Sequence, residues 1–308
     1  MRLSPELEHW NKLGQYFQVA PLACNVFAID LGDCHASSKD TCLLIHGFPE
    51  SSFSFHKVVH GLLGQFKRLV LIDLPGYGFS DKPEDDHSYS LVAQADAMLS
   101  VWHQMGVQGG HIICHDMGTS VATELLARSV NKLLPHWIQG GINSVTFTNG
   151  SMVLRFAKLR LMQKLLLNKT LGPTISSLAG SAAFKRTVLS AHGASGEHAL
   201  DEQDVRLLWE SCCLQRGEKK NHHLIRYLND RRRFESTRWL PSLKIASRII
   251  PTHFCWGDAD QVATIEMARH LQEEICPDSL LTEMKGAGHF CQLGSPELWL
   301  DSVGPFYD

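Results

Sequence analysis

The stretch HIICHDMGTSVATELLARSV, residues 111–130, runs an apolar, strand-like segment directly into an aspartate, with a helical pattern after it. The chain therefore has to turn sharply at Cys114-His115-Asp116-Met117-Gly118. A carboxylate at such a corner has two explanations. Asp is among the best helix N-caps, because its oxygens accept the unpaired N–H groups of a first turn. Alternatively, the corner is a strained strand-to-helix turn that holds a nucleophile out over the strand end, flanked by small residues. The usual spacing, Gly-x-nucleophile-x-Gly, is met here except at its first position, where Cys114 stands for glycine.

Outward from this corner, apolar strand-like runs recur at 24–30, 41–47, 68–76, 110–116, 144–150 and 250–258, with a weaker one at 279–286. The middle runs are nearly continuous in Val, Ile and Leu, as strands covered on both faces require. Helical patterns at 90–105, 117–130, 262–275 and 295–303 alternate with them, which predicts a mostly parallel central sheet with helices on both faces. The alternation breaks between residues 151 and 239, where MVLRFAKLRLMQKLLL, DEQDVRLLWESCCL and HHLIRYLNDRRRF read as helices. The expected organisation is a core of 1–150 and 240–308, with 151–239 inserted as a helical cap over the strand ends.

Three further stretches decide between the two explanations. LLIHGFPES (43–51) ends a strand in His46-Gly47 and brings backbone N–H groups to the sheet edge. FCWGDADQV (254–262) ends another strand with two acids, and MKGAGHFCQLGSPE (284–297) sets His289 in a glycine-rich loop. Taken alone, His289 is an ordinary loop histidine. Nucleophile, acid and histidine in that chain order are the order of an α/β-hydrolase triad.

With HGFPES, DLPGYGFSDKP (73–83) and HDMG in place, almost the whole chain resembles the α/β-hydrolase superfamily, in the branch that uses an aspartate nucleophile. Epoxide hydrolases, haloalkane dehalogenases and the mesoderm-specific transcript group belong to that branch. WNKLGQYF, SVTFTNG and IRYLNDRRRF resemble the last group most. The resemblance implies Asp116 as nucleophile, His289 as general base, and Asp260 as the acid that orients it, with Asp258 as a turn residue. It places the oxyanion hole at the backbone N–H groups of Phe48 and Met117, supported by His46 and Gly47. Tyr227 matches the cap tyrosine of epoxide hydrolases; its alternative reading is a half-buried helix aromatic. Residues 151–226 contain no tyrosine, so the usual first cap tyrosine has no counterpart, and His192, His198, His222 or His223 would have to replace it.

An aspartate suits a particular chemistry. It is ionised without help near neutral pH, and its attack on a saturated carbon leaves an alkyl ester. A histidine then activates water to attack that ester at the Asp116 carboxyl carbon. The implied reaction is opening of an epoxide to a diol. Halide release is disfavoured, because Met117 and Phe48 occupy positions where dehalogenases carry side-chain N–H donors. The alternatives are a dehalogenase-like or mesoderm-specific-transcript-like hydrolase with another substrate and, in a different class, a noncatalytic binding protein on the same fold. Asn149 reads as a turn former in preference to a polar support at the strand end, Arg231–Arg233 as a solvated helix face rather than an anion site, and Leu154, Phe156, Leu159 and Trp209 as pocket lining.

Composition sets the bounds. The 308 residues carry a net charge of −3, which gives no reason to expect nucleic acid or an anionic surface as partner. No apolar run has the length of a membrane span, and the charged N-terminus does not read as a signal peptide. Nine cysteines, several inside strand-like runs, point to a reducing compartment, with the cytoplasm as the expected location. No metal pattern or cofactor motif is present, and the expected partner is a small apolar molecule bound by a monomer or homodimer.

Overall fold

A computed structural model describes residues 3–83, 89–159 and 161–308. Eight strands form one sheet: β1 (Gly14–Val19), β2 (Cys24–Gly32), β3 (Thr41–Ile45), β4 (Arg68–Ile72), β5 (Gly109–His115), β6 (Gly141–Thr148), β7 (Thr252–Gly257) and β8 (Leu280–Met284). Their order is β1-β2-β4-β3-β5-β6-β7-β8. The pairs β1–β2 and β2–β4 are antiparallel, and every other pair is parallel. This is the α/β-hydrolase fold expected from the strand–helix alternation.

Every residue of β3, β4 and β7 is buried, as sheets covered on both faces require. Helices Leu91–Gln104 and Gly118–Val130 contribute to one apolar cluster, which includes Ile112, Val121, Leu125 and Trp102. A second cluster gathers Trp10, Phe55, Leu71 and Trp299. The edge strand β1 and the helix Pro5–Leu13 were not expected. GQYFQV is an antiparallel edge strand with Tyr16 half exposed, so its apolar signal is weak.

Helical chain fills the connection from β6 to β7, ending in the helix Leu240–Ala246 that packs on Gly118–Val130. The expected helix through MVLRFAKLRLMQKLLL begins only at Leu161. Residues 151–159 instead form turns and one antiparallel bridge, Ala157 to Ala263. Arg160, inside that run, lies outside the described residues. A second correction concerns Arg231, expected on a solvated face. It is fully buried in the helix Tyr227–Phe234, donating to the Met152 carbonyl at 2.8 Å and to the Ser120 hydroxyl, with its guanidinium over the Trp239 ring. The apolar surroundings explain why a charge run misled: one guanidinium ties the inserted helices to the helix that follows Asp116.

Candidate active site

The turn after β5 is left-handed at Asp116, with φ +45°. A non-glycine residue there is strained, a cost found where surrounding structure fixes a functional geometry. Backbone bonds hold the corner. The Asp116 N–H donates to Thr148 O at 3.2 Å, and its carbonyl accepts from the Thr119 N–H and hydroxyl at 3.1 and 2.6 Å. Gly118 is required by proximity, since a β-carbon there would lie 2.5 Å from Ile45 O. Cys114, at the position usually glycine, is buried and donates its thiol to Thr146 O at 3.3 Å.

The Asp116 side chain is not a helix cap. It is 2% exposed, and its Oδ2 accepts the Phe48 N–H at 2.8 Å. Among the described residues no bond from the Met117 N–H accompanies it. The Met117 thioether accepts the Tyr77 hydroxyl. His46 is bonded within the opposing turn: Leu74 N–H donates to its Nε2 at 3.0 Å, so Nδ1 carries the proton and donates to Gly47 O at 2.8 Å. Burial lowers its pKa and keeps the ring neutral. Gly47 allows the approach, because a β-carbon there would lie 2.5 Å from the Asp116 Cβ.

His289 and Asp260 complete the cluster. His289 Nδ1 lies 2.8 Å from Asp260 Oδ2, and Nε2 lies 3.7 Å from Asp116 Oδ1. Asp260 Oδ1 accepts the Val262 and Ala263 N–H groups at 2.7 and 3.0 Å. Asp258, by contrast, accepts the Gly286 N–H in a surface turn. Burial opposes charge on His289, but Asp260, Asp116 and Glu50 outweigh it and raise the imidazole to about 9. Burial also raises Asp116, against the pull of His289, His115 and the Phe48 N–H.

Asn149 takes the less favoured of its two readings, a polar support at the strand end: it is buried at φ +44°, donates to Asp260 Oδ2 at 2.8 Å and accepts the Gly257 N–H at 3.0 Å. Other members of the cluster escaped the sequence reading. The backbone of His289 is gripped on both sides, its N–H donating to His192 O at 2.9 Å and its carbonyl lying 2.8 Å from His115 Nε2. His115 Nδ1 lies 2.7 Å from Glu50 Oε1, and Gln292 donates to Glu50 Oε2 at 3.0 Å. Glu50 inside HGFPES and His115 beside Asp116 were the available signals: titratable residues within otherwise apolar strand ends.

A cavity opens over Asp116 and His289, walled by Phe48, Trp209, Val262, Phe290 and side chains of the inserted helices such as Leu166 and Phe184. Trp209 lies on this wall as expected. Leu154, Phe156 and Leu159 do not; they pack against the core instead. Tyr227 is buried, its ring 6.1 Å from that of Phe48, and it is not among the cavity-lining residues. Burial and the Asp116 charge raise its phenol well above the ordinary value. None of the four candidate histidines lines the cavity either. His192 Nδ1 accepts the Phe290 N–H and its Nε2 faces His198 O, while burial pushes its pKa down to about 4.

Residues 40–296 match the sequence family described as alpha/beta hydrolase fold. The chain is 34% identical over 300 residues to a Mycobacterium tuberculosis protein named "Putative hydrolase LipZ", covering 97% of each chain. It is 30% identical over 312 residues to the mesoderm-specific transcript protein of Mus musculus, covering 99% of this chain and 89% of that one. Among solved structures, a haloalkane dehalogenase variant from Bradyrhizobium elkanii superposes with TM-score 0.73 at 18% identity, covering 96% of this chain and 95% of that one. The epoxide hydrolase CorEH superposes with TM-score 0.70 at 16% identity, covering 96% and 98%. At such identities these two speak to the fold alone. Family match, relatives and strand order agree: the chain is a member of the alpha/beta hydrolase fold family.

Proposed function

We propose that the protein hydrolyses small apolar substrates through an ester formed on Asp116, with epoxide opening to a diol as the reaction, and that residues 151–239 act as its cap. One observation carries this reading: a buried carboxylate at the strained corner shares a cavity with an imidazole 3.7 Å away. In the first step an Asp116 oxygen attacks the epoxide carbon, the ring C–O bond breaks, and the alkoxide takes the proton of the Tyr227 phenol, leaving a phenolate. In the second, His289 accepts a proton from water as the water oxygen attacks the Asp116 carboxyl carbon; the ester C–O bond then breaks, the departing alkoxide takes that proton from His289 to give the diol, and the new Asp116 carboxyl proton returns to the phenolate. The Phe48 N–H then stabilises charge on the carboxyl oxygen; removing such a donor typically costs about 3 kcal/mol.

Electrostatics supports the order of events. Before attack, the Asp116 charge helps keep His289 protonated. Esterification cancels that charge, so the imidazole loses one of its stabilising anions and becomes available as a base. Asp260, held by two N–H groups and Asn149, keeps the ring oriented throughout.

The position of Tyr227 favours a second reading beside the first. Its phenol keeps its proton at neutral pH, as a donor must, but the ring sits against Phe48 and off the cavity wall. The same Asp116–His289 chemistry would then serve a substrate whose leaving group needs no phenol, in keeping with the mesoderm-specific transcript relative. His289→Gln tests the shared chemistry. With an epoxide panel, intact mass should rise by the mass of one substrate, and the adduct should map to Asp116. A panel of epoxides and alkyl halides that leaves the mass unchanged contradicts an aspartyl ester. Tyr227→Phe separates the readings: epoxide turnover should fall about 10²-fold if the phenol donates, and stay unchanged if it does not.

A further inference from the structure

The chain that walls the cavity differs in charge from the rest of the molecule. Residues 151–196 carry seven of the 29 Lys and Arg and none of the 32 Asp and Glu. Arg155, Lys158, Lys164, Lys169, Lys185 and Arg186 are all exposed. Two of these side chains meet partners from elsewhere in the chain, Lys185 with Glu202 and Arg155 with His270. The same stretch turns four leucines to solvent, Leu161 at 73% and Leu178 at 76% together with Leu171 and Leu189. Leu178 also lines the cavity, so the apolar interior is continuous with an apolar surface at its mouth.

We propose that this face docks on an anionic lipid bilayer. Exposed leucines among cations, in a stretch that carries no acid of its own, have the composition of an interfacial segment: apolar side chains enter the acyl boundary while Lys and Arg meet the phosphates. An acidic protein surface would match the charges alone. A bilayer also matches the leucines and the open apolar channel, because an apolar solute is already concentrated there. The modest overall charge of −3 conceals this polarity, since the acidic residues lie elsewhere in the chain. Passage of substrate from the bilayer past Leu178 to Asp116 rests on the function proposed above; the docking itself does not.

Sedimentation with vesicles tests the docking without reading turnover, so its outcome is separate from that of the chemistry. The whole chain should pellet with phosphatidylcholine vesicles containing phosphatidylserine, pellet less with phosphatidylcholine alone, and be released by high salt. Each cation near such a surface is worth about fivefold in partitioning, so Lys164→Glu with Lys169→Glu should weaken binding at least about tenfold. Leu161→Ser with Leu171→Ser should weaken it in a salt-independent way. All four positions are exposed, and circular dichroism checks that both variants keep the fold. A wild-type chain left in the supernatant with both vesicle types overturns the proposal and assigns the face to a protein partner. Binding that neither pair of substitutions weakens overturns it as well.

Discussion

Each oxygen of the Asp116 carboxylate has its own neighbour, a backbone N–H at Oδ2 and the His289 ring near Oδ1. Asp116→Ala removes the group that would carry the ester, and turnover should fall by at least about 10³-fold with the fold retained. The raised His289 pKa also makes a statement about stability. Folded chains hold that proton to about pH 9, whereas the free imidazole releases it near 6.5. Between those values the folded state binds more protons, so this contribution is complete below about 6.5 and is lost as pH rises toward 9. The decline in melting temperature across that interval should be steeper for wild type than for His289→Gln; equal slopes would contradict the pairing. Asn149→Ala should lower kcat with little change in KM and destabilise the fold by about 1–3 kcal/mol, because it strands the Gly257 N–H and leaves Asp260 Oδ2 with His289 alone. At this scale Asp116, Asp260 and His289 were legible because each closes a strand or loop in a fixed order. Glu50, His115 and the role of His192 were not, and Asn149 only as one of two readings, because each acts through a partner that only folding brings near.

Strand–helix alternation made most elements legible, since buried parallel strands announce themselves as Val/Ile/Leu runs. Weak edge strands do not, and β1 was missed. Nor does a run of arginines reveal which guanidinium turns inward. Arg231 crosses from the helix Tyr227–Phe234 to the helix Gly118–Val130, and burial pushes its pKa down to about 10. Arg231→Ala leaves the buried Met152 carbonyl and Ser120 hydroxyl without this donor and should cost about 1–3 kcal/mol in denaturant unfolding, more than an exposed Arg232→Ala. A difference below about 1 kcal/mol would contradict the clamp.

For the molecule as a whole, the sheet brings the ends of β3, β5 and β7 to one edge, and the inserted helices close an apolar cavity over it. The helical composition of the β6–β7 connection could be read from sequence. Its lining could not, because which face of each short helix turns inward depends on packing, and three of the four expected lining residues turned elsewhere. Ala183→Trp should narrow the cavity and lower kcat/KM for bulky substrates about tenfold or more relative to small ones. The most direct measurement of the central claim is a single turnover in water enriched in heavy oxygen, followed by mass analysis of the peptide containing Asp116. Attack by the Asp116 carboxylate predicts label in that side chain and none in the first product released. Label in the first product, with Asp116 unlabelled, would show that water attacks the substrate directly and would contradict the account.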